Sequence, residues 1–273
     1  MYFKILADNN CRQSAGAASV DFYQYAWTER PIVQGFIQES GTAQSFYDPP
    51  LNNNLEGWWN ATMKLGCGGP EVPLPEQVEC MRTRDFHDIE TAIQASDPLK
   101  AVLGSFGPTV DHHVVFNDYS IRGATGRFIR KPLLIGSNFN EAGLFKIFAL
   151  AGGNNVSESQ WAIFNQALFE CPTAKAAGYR VQNRVDVWRY LYFGDFPNLA
   201  LTFNPPSGAY HTAEISVVFE TSAEFSGVPN TRAETSISRY LNGVWASFAK
   251  NPQYALRSER YFYPEYNPFS KSE

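Results

Sequence analysis

A serine, a glutamate and a histidine, far apart in the chain, are the residues best suited to chemistry. Ser14 lies in Arg12-Gln13-Ser14-Ala15-Gly16, which matches the G-x-S-x-G turn except at its first position, where Arg12 replaces glycine. In that turn a strand passes sharply into a helix, and the serine oxygen is exposed on a strained backbone. Side chains two residues before and two after the serine crowd each other, so glycine suits both places; Gly16 fills one of them. Glu141 follows the apolar run Leu133-Leu134-Ile135, and His211 follows Gly208-Ala209-Tyr210. Serine is a weak nucleophile until a base takes its proton, and histidine, with an ordinary pKa near neutrality, suits that task. A carboxylate behind the histidine fixes its tautomer. The order serine, acid, histidine is one that this chemistry uses. Each residue also has a plainer reading: Ser14 as a helix N-cap, Glu141 as an acid favoured by a helix dipole, His211 as a loop histidine. The residues alone leave these open.

The elements that must position them read as follows. Tyr2–Ala7 is a candidate strand into the turn, and Ala15 starts a helix reaching Tyr25, its alanines allowing close packing on a sheet. Ile32–Gly41 and Lys131–Asn138 read as short buried strands, with Pro132 placed where no ladder donor is needed. Gln44–Glu56, with Pro49-Pro50 and Asn52-Asn53-Asn54, reads as a loop. Helices are expected over Leu55–Leu65, Pro75–Arg82 and Phe86–Gln94. Helical periodicity returns over Ala142–Leu150, Ser157–Glu170 and Thr173–Val185. Thr109–Tyr119 reads as an extended or hairpin segment turning at Asn117-Asp118, and Val187–Phe193 as a strand. Ser236–Lys250 is expected to be an amphipathic helix with Ile237, Tyr240, Leu241, Val244, Trp245 and Phe248 on one face. The tail from Tyr261 to Glu273 is expected to fray.

Composition narrows the function. The chain has 273 residues, is 44% hydrophobic and 15% aromatic, and carries a net charge of −5. That suits a packed core and disfavours a nucleic-acid surface. No apolar run is long enough to span a membrane, and no leader pattern opens the chain, which taken literally places it in the cytoplasm. Of the other histidines, His87 sits in a charged stretch, and His112 and His113 are adjacent, so in a strand they would face opposite ways and chelate poorly. No metal site is expected. Trp27, Trp58, Trp59 and the phenylalanines either line an acyl pocket or fill the core.

Five stretches carry a family resemblance: Arg12–Val20, Val33–Ala43, Leu133–Phe145, Val187–Asn198 and Ala209–Ser222. Together they resemble the type-B carboxylesterase and lipase family, which includes cholinesterases and fungal lipases. The resemblance implies an α/β architecture: a partial α/β-hydrolase fold, with a mostly parallel sheet flanked by helices. It implies Ser14 as nucleophile, His211 as general base, Glu141 as the orienting acid, the Ala15 N–H as an oxyanion donor and Ser40 as a supporting residue near the acid. It needs no cofactor, and its substrate is a small-molecule or lipid ester.

The resemblance begins at the turn, so residues 1–273 correspond to the C-terminal portion of such a domain, without the glycine-rich oxyanion loop. Impaired activity and poor solubility are expected from that, since removing even one oxyanion donor costs about 10²–10³ in rate. The family often closes a loop like Cys67–Cys80 with a disulfide and is often secreted. Two glycosylation sequons, at Asn60 and Asn155, agree with that, whereas Cys11 and Cys171 have no evident partner. The rival readings are a catalytically silent cholinesterase-like binding module and an inactive fragment.

Overall fold

The computed structural model describes residues 9–29, 31–45, 55–94 and 106–257. The strand expected at Tyr2–Ala7, most of the loop at 44–56 and the tail at 261–273 lie outside these residues. A four-stranded parallel sheet in the order β1-β2-β3-β4 organises the rest. Its strands are β1 (Asn9–Gln13), β2 (Gly35–Glu39), β3 (Leu133–Asn138) and β4 (Val187–Tyr192). Strand and spatial order coincide, so every functional loop at the strands' C-terminal ends falls on one edge of the sheet.

Side-chain alternation explains why both faces are covered. Phe36, Leu133, Ile135 and Val187 pack with Val20 of α1 (Ala15–Ala26) and with Ala176 and Ala177 of α8 (Cys171–Gln182). Ile37, Leu134 and Trp188 face the other way. They meet Val217 of α9 (Ala213–Val218) and Val244, Trp245 and Phe248 of α11 (Arg232–Lys250). With helices on both faces, β2 and β3 are buried at every position, apolar where they pack at Phe36, Ile37 and Leu133–Ile135 and polar at their C-terminal ends next to the site.

The remaining helices are α2 (Glu56–Lys64), α3 (Leu74–Arg82), α4 (Phe86–Ala92), α5 (Tyr119–Ala124), α6 (Ala142–Ala151), α7 (Glu158–Asn165) and α10 (Ser222–Ser226). A π-helical turn, Gln166–Glu170, joins α7 to α8. Helices α2 to α4 close around Cys67 and Cys80, which form a disulfide with Cα atoms 5.6 Å apart. Trp58 sits in this lobe and donates its indole N–H to Gln77 at 2.6 Å. Cys11 and Cys171 are free thiols. Asn60 and Asn155 are exposed.

Two expectations need correction, and one open segment is settled. The segment around Thr109–Tyr119 is not a hairpin. The Asp111 carboxylate accepts the backbone N–H groups of His113, Val114 and Val115, and these, Val115 foremost, hold its pKa down to about 2. This local closure leaves Val115 and Phe116 buried under α1 without a strand partner, and Tyr119 opens a helix instead. The apolar run after His211, to which the sequence assigned no element, is a helix, α9. The buried stripe of α11 is also offset. Ile237 and Tyr240 are exposed, whereas Glu234 and Ser238 are buried with Val244, Trp245 and Phe248. Burial of those two polar residues is tolerated because each is bonded. Glu234 completes a capping box with Thr231, and Ser238 donates to the Val217 carbonyl at 2.5 Å.

Candidate active site

Ser14 sits between β1 and α1 with φ 58° and ψ −128°, a conformation that costs a non-glycine residue about 1–3 kcal/mol. Bonds on both sides hold it there: its N–H donates to the Glu39 carbonyl at 2.8 Å, and its carbonyl accepts from Ala18 N–H at 3.0 Å. The neighbours are small where the turn demands it. A Cβ on Gly41 would lie 2.2 Å from the Ser14 carbonyl oxygen, and one on Gly16 would lie 3.2 Å from the Arg12 Cβ. Arg12 is accommodated because its side chain is exposed and its guanidinium donates to the Cys11 carbonyl. The expected crowding therefore falls on Gly16, and the turn survives. The strand leading in is polar, Asn-Asn-Cys-Arg-Gln, and is defined by pairing with β2 rather than by an apolar pattern.

Glu141 and His211 come from separate corners. Glu141 precedes α6 just past β3 and is fully buried. His211 precedes α9 and is buried too. The two corners are stitched together by Asn140 N–H to the Ala209 carbonyl at 3.0 Å and by the Asn140 amide to the Ser207 carbonyl at 2.8 Å. Asn138 adds a third bond, from its side-chain amide to the Tyr210 carbonyl at 2.6 Å. Gly143 permits the approach, since a Cβ there would lie 2.2 Å from the Ser207 oxygen.

The three side chains converge. His211 Nε2 lies 2.7 Å from Ser14 Oγ, and His211 Nδ1 lies 2.5 Å from Glu141 Oε2. Glu141 Oε1 accepts the Asn138 backbone N–H at 2.6 Å, so both of its oxygens are engaged. With Nδ1–H donating to the carboxylate, Nε2 keeps its lone pair toward the serine hydroxyl. Phe145 and Phe169 flank the imidazole with ring centroids 5.2 and 5.1 Å away. Trp27, by contrast, stacks on Tyr23. Ala15 opens α1, so its N–H has no partner within the helix and lies next to the serine. Ser40 is buried after β2 at φ 55°, and its N–H donates to the Gly136 carbonyl at 2.8 Å. Its hydroxyl makes no hydrogen bond among the described residues, Glu141 included.

Sequence reasoning missed four contributors. Gln13 donates its amide to His211 Nε2 at 3.1 Å, alongside Ser14. Asn138 bonds Glu141 through its backbone and Glu214 through its side chain, the latter at 2.5 Å. Glu214, one helical position into α9, is buried; desolvation, then the charges of Glu141 and Glu39, push its pKa up to about 8. Glu39 is likewise pushed up to about 7 by burial, partly offset by the bond from Trp245 Nε1. Three carboxyl groups, those of Glu39, Glu141 and Glu214, are thus buried around the site. Their signal in the sequence was only adjacency to the motifs, which does not tell which way a side chain turns. Among the described residues no group of three or more metal-ligating side chains occurs, and no helix is long and apolar enough to cross a membrane.

The sequence profile of the carboxylesterase family matches residues 11–162 and 153–273, which is nearly all of the chain. The chain belongs to the carboxylesterase family. Among curated relatives of this carboxylesterase-family chain, a chlorogenic acid esterase of Aspergillus niger is 33% identical over 240 residues, covering 88% of this chain and 44% of the relative. A secreted lipase 5 of Gibberella zeae is 31% identical over 258 residues, covering 89% and 47%. The chain therefore spans about half the length of the curated relatives it matches. A solved structure titled PNB esterase superposes with a TM-score of 0.66 at 21% identity, over 93% of this chain and 56% of that one, which establishes the shared α/β fold.

Proposed function

We propose that this carboxylesterase-family chain hydrolyses carboxylic esters, with Ser14 as nucleophile, His211 as base and Glu141 as the acid that orients it. The observation carrying the reading is the continuous path from Ser14 Oγ to His211 Nε2 and from His211 Nδ1 to Glu141. Ser14 Oγ attacks the ester carbonyl while its proton passes to Nε2, and Glu141 stabilises the imidazolium. The Ala15 N–H donates to the oxyanion of the tetrahedral intermediate. Collapse expels the alcohol, which leaves with the proton from Nε2, and the acyl group stays on Ser14. Water then repeats the sequence, with His211 taking its proton, and the carboxylic acid departs. Ser40 supports the corner beside Glu39 through its backbone bond to β3.

Phe145 and Phe169 beside the imidazole favour an apolar or aromatic acyl group, in keeping with relatives named for a chlorogenic acid ester and for lipids. The substrate class is a small-molecule or lipid ester, with no nucleic-acid partner. Secretion is proposed on the name of the secreted relative and the Cys67–Cys80 disulfide.

The test is to assay the purified chain on a short activated ester beside Ser14→Ala, and to treat both with a fluorophosphonate. Hydrolysis above background and a covalent mass increase on the Ser14 peptide, both lost in Ser14→Ala, are expected, with a rate loss of roughly 10³-fold or more. Equal rates in the two proteins, or labelling elsewhere, would overturn the assignment and favour a silent binding module.

A further inference from the structure

A cavity lies at the end of the sheet opposite Ser14, where the strands begin. Gln34 precedes β2, Lys131 and Pro132 precede β3, and Arg184 to Asp186 precede β4; all of them line a cavity of about 460 Å³. That volume falls in the range of about 300–1,000 Å³ usual for small-ligand sites. Four cationic side chains surround it: Arg130, Lys131, Arg184 and Lys250. The acid in the lining, Asp186, is taken up by Arg257, whose Nη2 lies 2.8 Å from its Oδ1. None of the four cations forms an ion pair among the described residues.

This concentration of charge is not what the composition gives by default, because the chain as a whole carries a net charge of −5. Four like charges brought around one concavity repel one another, and a multivalent anion is what relieves them. The frame is firm. The Asp186 carbonyl accepts the Leu133 N–H at 3.0 Å, tying the rims before β3 and β4 together. Lys250 enters from the end of α11, and Tyr254 also lines the cavity. Two guanidinium forks with two ammonium groups match the paired oxygens of phosphoryl groups better than a single carboxylate. No residue of the ester-hydrolysing site takes part, so the inference stands or falls independently of that reading.

We propose that this cavity is a binding site for a compact anion bearing two phosphoryl groups. The test is titration calorimetry of the full chain with inorganic pyrophosphate at low ionic strength, with orthophosphate and citrate as comparators. Saturable one-to-one binding is expected, tighter for pyrophosphate than for either comparator and weakened by added salt. The double variant Lys131→Gln/Arg184→Gln should lose about tenfold or more in affinity, and Lys250→Gln, on a different element, should weaken it independently. Circular dichroism confirms that each variant is folded. Absence of one-to-one binding, unchanged affinity in both folded variants, or citrate binding as tightly as pyrophosphate overturns the proposal.

Discussion

At the scale of single residues, the site depends on carboxyl groups with unequal environments. Glu39 and Glu214 titrate near 7 and 8, against an ordinary 4.5, because burial penalises their charged forms. Both shifts are upward, so the native state keeps protons that the unfolded chain has already released. Their contribution to stability is fully present below about pH 4.5 and is lost as pH rises through about 7 to 8. The melting temperature of the chain should therefore fall across that window. Glu214→Gln, which cannot ionise, should make the fall shallower; an unchanged slope would mean that Glu214 is not protonated in the native state. Ser14 was legible from its turn motif, whereas Glu141 and His211 stood out only through the family resemblance of Leu133–Phe145 and Ala209–Ser222. Glu214 was not, since three residues after a loop histidine it could face solvent as easily as the core, and only the helical turn of α9 directs it inward.

At the scale of elements, the turn at Ser14 is held by its neighbours rather than by its own sequence. Gly41→Ala would place a methyl against the Ser14 carbonyl, and the backbone must shift. The expected result is a stability loss of about 1–3 kcal/mol, read from the denaturation midpoint, together with loss of fluorophosphonate labelling at Ser14. Labelling at the normal rate would show that the turn tolerates the shift. Helix α11 is tied to β2 by Trp245, whose indole N–H donates to the buried Glu39. Trp245→Phe keeps most of the apolar volume but removes that donor. It should cost about 1–3 kcal/mol and raise the Glu39 pKa further, extending the loss of stability to higher pH. The strands β2 and β3 were legible because burial on both faces leaves short apolar runs, Phe36-Ile37 and Leu133-Leu134-Ile135, within them. Asn9–Gln13 was not, because its polar side chains carry no alternation and its strand character comes from backbone pairing. The Thr109–Tyr119 segment misled for the converse reason: Val114-Val115-Phe116 has the composition of a strand, but the Asp111 carboxylate gathers its N–H groups into a closed loop.

At the scale of the whole molecule, two covering helices are joined by a buried ion pair. Arg180 of α8 and Asp21 of α1 are both fully buried, 2.5 Å apart. Arg180 also bonds Tyr25 and Gln24, and Asp21 accepts from Ala43 N–H at 2.9 Å. Asp21→Asn leaves an uncompensated guanidinium in the core and should cost roughly 3–5 kcal/mol. Arg180→Met with Asp21→Asn removes both charges and should recover much of that loss. Denaturant unfolding of the two variants checks the difference, and equal losses would mean that packing rather than charge dominates. No pattern in the sequence announces this pair, since it joins positions 159 residues apart.

The same long reach has a kinetic side. The serine–histidine contact closes a span of 197 residues and the glutamate–histidine contact one of 70, and each rests on strand pairings that are themselves non-local. Closing such spans is entropically costly and slow, whereas helices form from neighbours in sequence. During refolding from denaturant, far-ultraviolet circular dichroism should therefore recover first. Reactivity of Ser14 toward a fluorophosphonate should lag behind it, appearing only as the last sheet neighbours dock.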